Sequence, residues 1–192
     1  GRPRLSDFSQ VLKHSPDVVR MMLMIALIEA TWSMAQPFMP LFAYQEKGAN
    51  EFVLGGIATS ISVLPILLSI PLGRLADRYG RKKLLFALTP AVYLAFLFLV
   101  FANGNTMLIA SGLFSGFTSI NIAIASAMTA EIMPKGQMGR WIGMVSLIRG
   151  LISIPAPILG GVIWDHIGPQ YVFIAAILLD LFLRVPLLAS IR

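Results

Sequence analysis

Six long apolar runs, separated by short polar segments, divide the chain. Each run holds roughly 20 residues, which as an α-helix is long enough to cross the hydrocarbon core of a bilayer. None of the runs alternates apolar and polar residues as the strands of a membrane barrel do. The pattern therefore predicts an all-α membrane protein with six transmembrane helices. The predicted spans, first to sixth, are residues 18–44, 52–76, 84–102, 107–132, 138–163 and 171–190.

Composition supports a membrane protein and argues against other classes. Hydrophobic residues make up 57% of the chain and charged residues only 12%, too few to cover a surface in water. The net charge of +6 does not indicate nucleic acid, because the basic residues lie between apolar runs instead of along one stripe. The chain has no cysteine, metal-ligand motif or phosphate-binding loop. We therefore expect no metal, no cofactor and no enzyme activity.

The positions of lysine and arginine predict the orientation in the cell membrane. If both termini are cytoplasmic, the outer loops hold only Lys47, and Arg149 and Arg184 lie within spans. Cytoplasmic loops of membrane proteins carry the excess of basic residues, so this orientation is the predicted one. The other twelve of the fifteen basic residues fall on the cytoplasmic side: Arg2, Arg4, Lys13, Arg20, Arg74, Arg78, Arg81, Lys82, Lys83, Lys135, Arg140 and Arg192.

A spaced pattern suggests an internal repeat. The sequence G-x-x-x-D-x-x-G occurs at residues 73–80 and again at residues 161–168, each time after the second helix of a three-helix unit. The first copy falls on the cytoplasmic side and the second on the outside, so the two units would have inverted topology. The predicted divisions are a cytoplasmic linker at residues 1–17 and a transmembrane domain at residues 18–192, with three-helix repeats at residues 18–105 and 106–192.

The loop between the second and third spans reads G-R-L-A-D-R-Y-G-R-K-K. Gly73 permits a close helix approach and Gly80 a tight reversal, while Asp77 at the membrane boundary requires a cation or a helix N-terminus. The loop resembles the signature G-x-L-a-D-r-x-G-r-k of the major facilitator superfamily. The resemblance implies a cytoplasmic gate, in which Asp77 latches against a helix of the other half of a transporter. The gate residues would be Gly73, Asp77, Arg78, Gly80 and Arg81.

Two further segments extend the resemblance. Residues 131–140 resemble the family's loop after the fourth helix of a half. In the fifth span, Pro157, Gly160 and Gly161 match part of the family's antiporter motif, although that motif has glycines where Ile152 and Ala156 stand. Antiport is therefore favoured slightly over other forms of transport.

The departures from the family pattern indicate which half of a transporter this is. N-terminal halves usually carry an arginine four residues before a glycine of the fourth helix, and here Gly112 stands four residues before Gly116. The incomplete antiporter motif and the absence of an initiating methionine agree with a C-terminal half. The resemblance thus implies half of a twelve-helix fold, and the expected partner is the N-terminal half or a second copy of the chain.

Charged and polar residues inside the spans are candidates for function, because each is costly in lipid. Glu29 lies near the middle of the first span, and Gln36 lies two turns further on the same face. The resemblance places the first and fourth spans around a central cavity, so Glu29 is a candidate proton carrier and Gln36 and Asn121 are candidate substrate contacts. Arg149 would bind an anionic substrate group or neutralise Glu29. A structural bond between helices is the alternative for each.

Asp180 and Arg184 lie four residues apart in the sixth span, a spacing that lets their charges neutralise one another. We expect a structural intramembrane pair. Together, these features predict secondary active transport of a small solute by alternating access, with proton-coupled efflux as one form of it. The alternative is a six-helix scaffold or accessory subunit without transport activity.

Overall fold

The computed structural model describes residues 16–132 and 138–190. These residues form α-helices, one π-helix and the turns that join them, and no strand occurs among them. The predicted all-α class is therefore confirmed. Most of the predicted linker, at residues 1–15, and half of the family-like loop, at residues 133–137, lie outside the described residues.

Nine α-helices are described, and they are numbered along the chain. They are α1 (Pro16–Ala35), α2 (Phe38–Gln45), α3 (Glu51–Tyr79), α4 (Arg81–Val100), α5 (Asn105–Ile132), α6 (Met138–Ser153), α7 (Pro155–His166), α8 (Pro169–Leu179) and α9 (Val185–Ser190). A π-helix at Asp180–Arg184 joins α8 to α9. The first span is thus α1 with α2, and the second, third and fourth spans are α3, α4 and α5. The fifth span is α6 with α7, and the sixth runs from α8 through the π-helix to α9.

Five helical runs among the described residues are long and apolar enough to cross a membrane, and they correspond to the second to sixth predicted spans. They are Glu51–Tyr79, Arg81–Val100, Asn105–Met128, Trp141–His166 and Pro169–Ser190. The first predicted span, at residues 18–44, is divided into two helices, because Gln36 and Pro37 separate α1 from α2. Proline has no backbone N–H to donate and its ring clashes with the preceding turn, so the helix is interrupted here.

Close packing holds the second and fourth spans together. The fourth span packs chiefly against the second and third, while the first span packs against the fifth and sixth. A β-carbon at Gly112 would lie 2.5 Å from Ile57 O, and one at Gly116 would lie 2.5 Å from Ile61 O. The Ser60 hydroxyl also donates to Ile109 O at 3.0 Å. Small residues therefore let these two backbones approach directly.

The two copies of the spaced pattern share a backbone feature. Gly80 has φ +96° and Gly168 has φ +141°, values that side-chain-bearing residues rarely adopt. Each glycine directly precedes a new helix, α4 in the first case and α8 in the second. Both copies thus end in a reversal that requires glycine, while the division into two three-helix repeats stays a prediction.

Candidate functional site

Glu29 and Arg149 form an ion pair between the first and fifth spans. Glu29 Oε2 lies 3.8 Å from Arg149 Nε, within ion-pair range but too long for a hydrogen bond. The Ser33 hydroxyl, one turn further along α1, donates to Glu29 Oε1 at 3.0 Å. The side chains of Glu29 and Arg149 are 20% and 31% exposed, respectively. The structure therefore brings together two of the four predicted substrate or proton residues in a loose, accessible pair.

Gln36 lies in the break between α1 and α2, with its side chain exposed. The antiporter-like segment of the fifth span packs directly beside this break. A β-carbon at Gly160 would lie 2.6 Å from Met34 O and 2.7 Å from the ring of Phe38. The lack of a side chain at Gly160 is therefore what allows the fifth span to approach the first at its break.

Asp180 and Arg184 are held by several hydrogen bonds inside the bundle. Arg184 Nη2 donates to Asp180 Oδ2 at 2.7 Å and to Thr89 Oγ1 at 2.8 Å, and Arg184 Nε donates to Asp180 Oδ1. The Tyr93 hydroxyl donates to Asp180 Oδ2 at 2.6 Å. The predicted pair is therefore present, and it is part of a four-residue polar cluster that joins the third and sixth spans.

Tyr93 and Thr89 were missed by the reading of the sequence. They are spaced four residues apart on the third span, the same spacing as Asp180 and Arg184 on the sixth. Two polar side chains on one face of an otherwise apolar helix were the available signal. Nothing in the sequence pairs that face with the sixth span, so only the packing of the spans reveals the cluster.

Asn121 is buried at a small cavity inside the bundle, away from Glu29. The cavity has a volume of about 30 Å³ and lies between the first, third, fourth and sixth spans. Its lining includes Asn121, Thr118, Tyr93, Asp180 and Arg184. Asn121 thus borders the polar cluster, and no hydrogen bond or ion pair within the described part of the chain joins it to the Glu29–Arg149 pair.

The predicted gate residues lie at one end of the bundle, and the predicted loop at residues 73–83 is helical except at Gly80: Gly73, Asp77 and Arg78 belong to the last turns of α3, and Arg81 begins α4. Asp77 Oδ1 lies 3.3 Å from Arg81 Nη2, one helical turn on, and the Asp77 side chain is 69% exposed. Arg78 lies over the ring of Tyr79, 5.4 Å from its centroid. Gly80 makes the reversal into α4. Asp77 therefore keeps accessible acceptor capacity beyond its contact with Arg81.

A groove lies beside this loop, between the second and fourth spans. It has a volume of about 270 Å³, and Gly73, Asp77 and Arg81 line it together with Ile120 and Ile124. No other helix among the described residues approaches Gly73, because no atom outside its own helix backbone lies within 4 Å of a β-carbon placed there, so the close approach at Gly73 stays a prediction. The fourth span makes its close contacts at Gly112 and Gly116, further from the loop.

Helices long enough to cross a bilayer, with an ion pair between the first and fifth spans, define a multi-pass α-helical membrane protein. Comparison with known families identifies the family. The chain belongs to the Major Facilitator Superfamily, whose family model matches residues 21–190. Members of this family are transporters and not enzymes, so the predicted family and the predicted absence of enzyme activity are confirmed.

Curated relatives include efflux and resistance proteins. The chain is 29% identical to the tetracycline resistance protein, class B, of Escherichia coli over 83% of this chain and 40% of that protein. It is 29% identical to the multi-drug resistance efflux pump PmrA homolog of Lactococcus lactis over 77% of this chain and 37% of that protein. It is 30% identical to the multi-drug resistance efflux pump PmrA of Streptococcus pneumoniae over 82% of this chain and 42% of that protein. The chain thus spans about two fifths of the length of these relatives.

Proposed function

We propose that this chain is the C-terminal six-helix half of a secondary active transporter in the cell membrane. The transporter exports a small solute by alternating access, in exchange for protons. Membership of the Major Facilitator Superfamily and the efflux proteins among the relatives support the transport class and direction. The other six helices come from an N-terminal half that is missing here, in line with the two fifths of the relatives' length that the chain spans.

The Glu29–Arg149 pair is the observation that carries the coupling part of this proposal. A carboxylate inside a membrane is costly and is retained where it moves protons or binds substrate. The 3.8 Å separation and the partial exposure of both side chains leave Glu29 open to a proton. When Glu29 takes up a proton, the Arg149 charge loses its counter-charge, and this change in the pair would couple proton movement to the rocking of the two halves.

The gate part of the proposal rests on Asp77. Its exposed carboxylate and the adjoining groove lie at the end of the bundle that the excess of basic residues predicts to be cytoplasmic. In the intact transporter, Asp77 contacts the end of a helix in the other half when the cytoplasmic side is closed. The contact breaks when the two halves rock apart.

The test uses the intact transporter reconstituted in liposomes. Glu29→Gln removes the titratable group and keeps the size of the side chain, so solute movement driven by a proton gradient should be lost. Exchange of labelled for unlabelled solute, which needs no net proton movement, should continue. Glu51→Gln is a matched control, because Glu51 is an exposed acid in the first turn of α3.

The combination of readouts separates coupling from transport. Unchanged proton-driven transport by Glu29→Gln would refute the role of Glu29 in coupling. Loss of exchange as well as coupling would instead assign Glu29 to solute binding. An intact protein that moves no solute under any gradient or by exchange would contradict transport itself and favour the six-helix scaffold.

A further inference from the structure

The small cavity beside Asn121 contains unpaired polar atoms. Asn121 Oδ1, Thr118 Oγ1 and Arg184 Nη1 are buried and have no hydrogen-bond partner among the described residues, and all three residues line this cavity. Asn121 and Arg184 are only 4% and 3% exposed. A buried polar group without a partner costs free energy, and such groups are normally satisfied by protein or by ordered water. Three of them at one cavity indicate a bound molecule.

The hydrogen bonds of Arg184 define what this molecule must offer. A guanidinium carries five N–H donors. Nε and Nη2 use theirs on Asp180 and Thr89, which leaves the two donors of Nη1. Asn121 Oδ1, across the same cavity, is an acceptor that needs a donor. The ligand must therefore accept hydrogen bonds at one side of the cavity and donate them at the other.

The charge of the site and the volume of the cavity further limit which molecule can bind there. Asp180 already neutralises Arg184, so an anion would add uncompensated charge and would have no hydrogen to give to Asn121. The volume of about 30 Å³ exceeds the 10–15 Å³ that a single water requires and matches about two. Water both donates and accepts, and it occupies cavities that offer it two to four polar partners.

We propose that the cavity beside Asn121 is a hydration site, in which one or two ordered water molecules bridge Arg184 Nη1 to Asn121 and Thr118. These waters extend the Tyr93–Asp180–Arg184 cluster from the third and sixth spans to the fourth span. The π-helix at Asp180–Arg184 belongs to the same site, and such departures from α-helical geometry occur frequently at functional sites. The fourth span would thus be joined to the sixth through water.

X-ray footprinting of the intact protein in detergent tests the proposal. Radiolysis of bound water produces hydroxyl radicals that oxidise adjacent side chains, and mass spectrometry measures the rate. Phe96 lines the cavity, and Phe42 is its matched control, since it is a phenylalanine of nearly equal burial in the same apolar cluster that does not line the cavity. We expect faster oxidation of Phe96 than of Phe42, although both are shielded from bulk solvent.

Two substitutions complete the test. Asn121→Leu removes the acceptor and fills the space, and should lower the oxidation rate of Phe96 about tenfold, the equivalent of one lost hydrogen bond to the water. Thr118→Val removes only a hydroxyl at constant shape and should also lower the oxidation rate of Phe96. This variant tests the proposal by itself if Asn121→Leu disturbs folding. Equal rates for Phe96 and Phe42 in the unmodified protein, or a Phe96 rate that neither substitution lowers, would overturn the proposal.

Discussion

The two ion pairs inside the membrane differ in how tightly they are held. Asp180 and Arg184 share two hydrogen bonds and are nearly fully buried. Glu29 and Arg149 approach to 3.8 Å without a hydrogen bond and remain partly exposed. Separating the first pair would break two hydrogen bonds and leave a buried charge without compensation, whereas the second pair has no hydrogen bond to break. The first therefore suits a structural role and the second a role in coupling.

The structural role of Asp180 predicts a large loss of stability on substitution. Asp180→Asn leaves Arg184 charged and buried, so the free energy of unfolding should fall by about 3–5 kcal/mol. Replacing the whole pair by apolar residues, Asp180→Leu with Arg184→Met, should recover much of that loss, because no charge is then left unpaired. Chemical unfolding in detergent, arranged as a double-mutant cycle, measures both effects. A double variant that loses the sum of the single losses would contradict the assignment.

Substitution of Asp77, unlike that of Asp180, should have little effect on stability and a clear effect on transport. Because its side chain is 69% exposed, Asp77→Asn should change the free energy of unfolding by no more than about 0.5 kcal/mol. In the intact transporter it should nevertheless shift the reactivity of introduced cysteines towards one face of the membrane, since the cytoplasmic latch is lost. Asp165→Asn is the matched control, as Asp165 holds the same place in the second copy of the pattern. Identical cysteine labelling in the two variants would count against a latch.

At the scale of the helices, the length of the apolar runs predicts where the spans lie. It does not predict where a helix is interrupted within a span. Pro37 coincides with a break, yet Pro65, Pro71 and Pro90 lie within continuous helices. Local sequence cannot separate these cases, because a proline is accommodated or not according to what packs beside it. Local sequence does not predict the π-helix at Asp180–Arg184 either, since its polar partners are on the third span. The spans and loops were therefore predictable, while the breaks and the polar cluster required tertiary contacts.

Helix packing supplies a prediction with an internal control. Gly112→Ala would place a β-carbon 2.5 Å from Ile57 O and against the Ser60 hydroxyl, so the second and fourth spans must separate. Such overpacking should cost about 1–3 kcal/mol of unfolding free energy. Gly143→Ala, with no described atom within 4 Å, should be neutral or stabilising by up to about 1 kcal/mol, because alanine favours helix. Equal effects of the two substitutions in detergent unfolding would contradict the close approach.

At the scale of the molecule, the second and fifth spans have the least surface buried within the bundle. Their exposed side chains are largely apolar, as in Ile66, Ile70, Leu151 and Ile158. Such a face contacts either lipid or another set of helices, and an isolated six-helix chain cannot distinguish the two. The family resemblance is what predicts a second half. Which spans meet that half depends on faces that helix periodicity alone does not assign.

Orientation is the molecular property that the sequence predicts most directly, and it is open to a clean measurement. Because the chain has no cysteine, a single introduced cysteine reports only its own position. Lys47→Cys and Asn103→Cys should react in intact cells with a maleimide that cannot cross the membrane, and Lys83→Cys should react only after the cells are opened. The physical reason is that basic clusters are retained on the cytoplasmic side, where Lys83 stands among four other basic residues of its loop. Reaction of Lys83→Cys in intact cells would reverse the topology, and with it the assignment of Asp77 to a cytoplasmic gate.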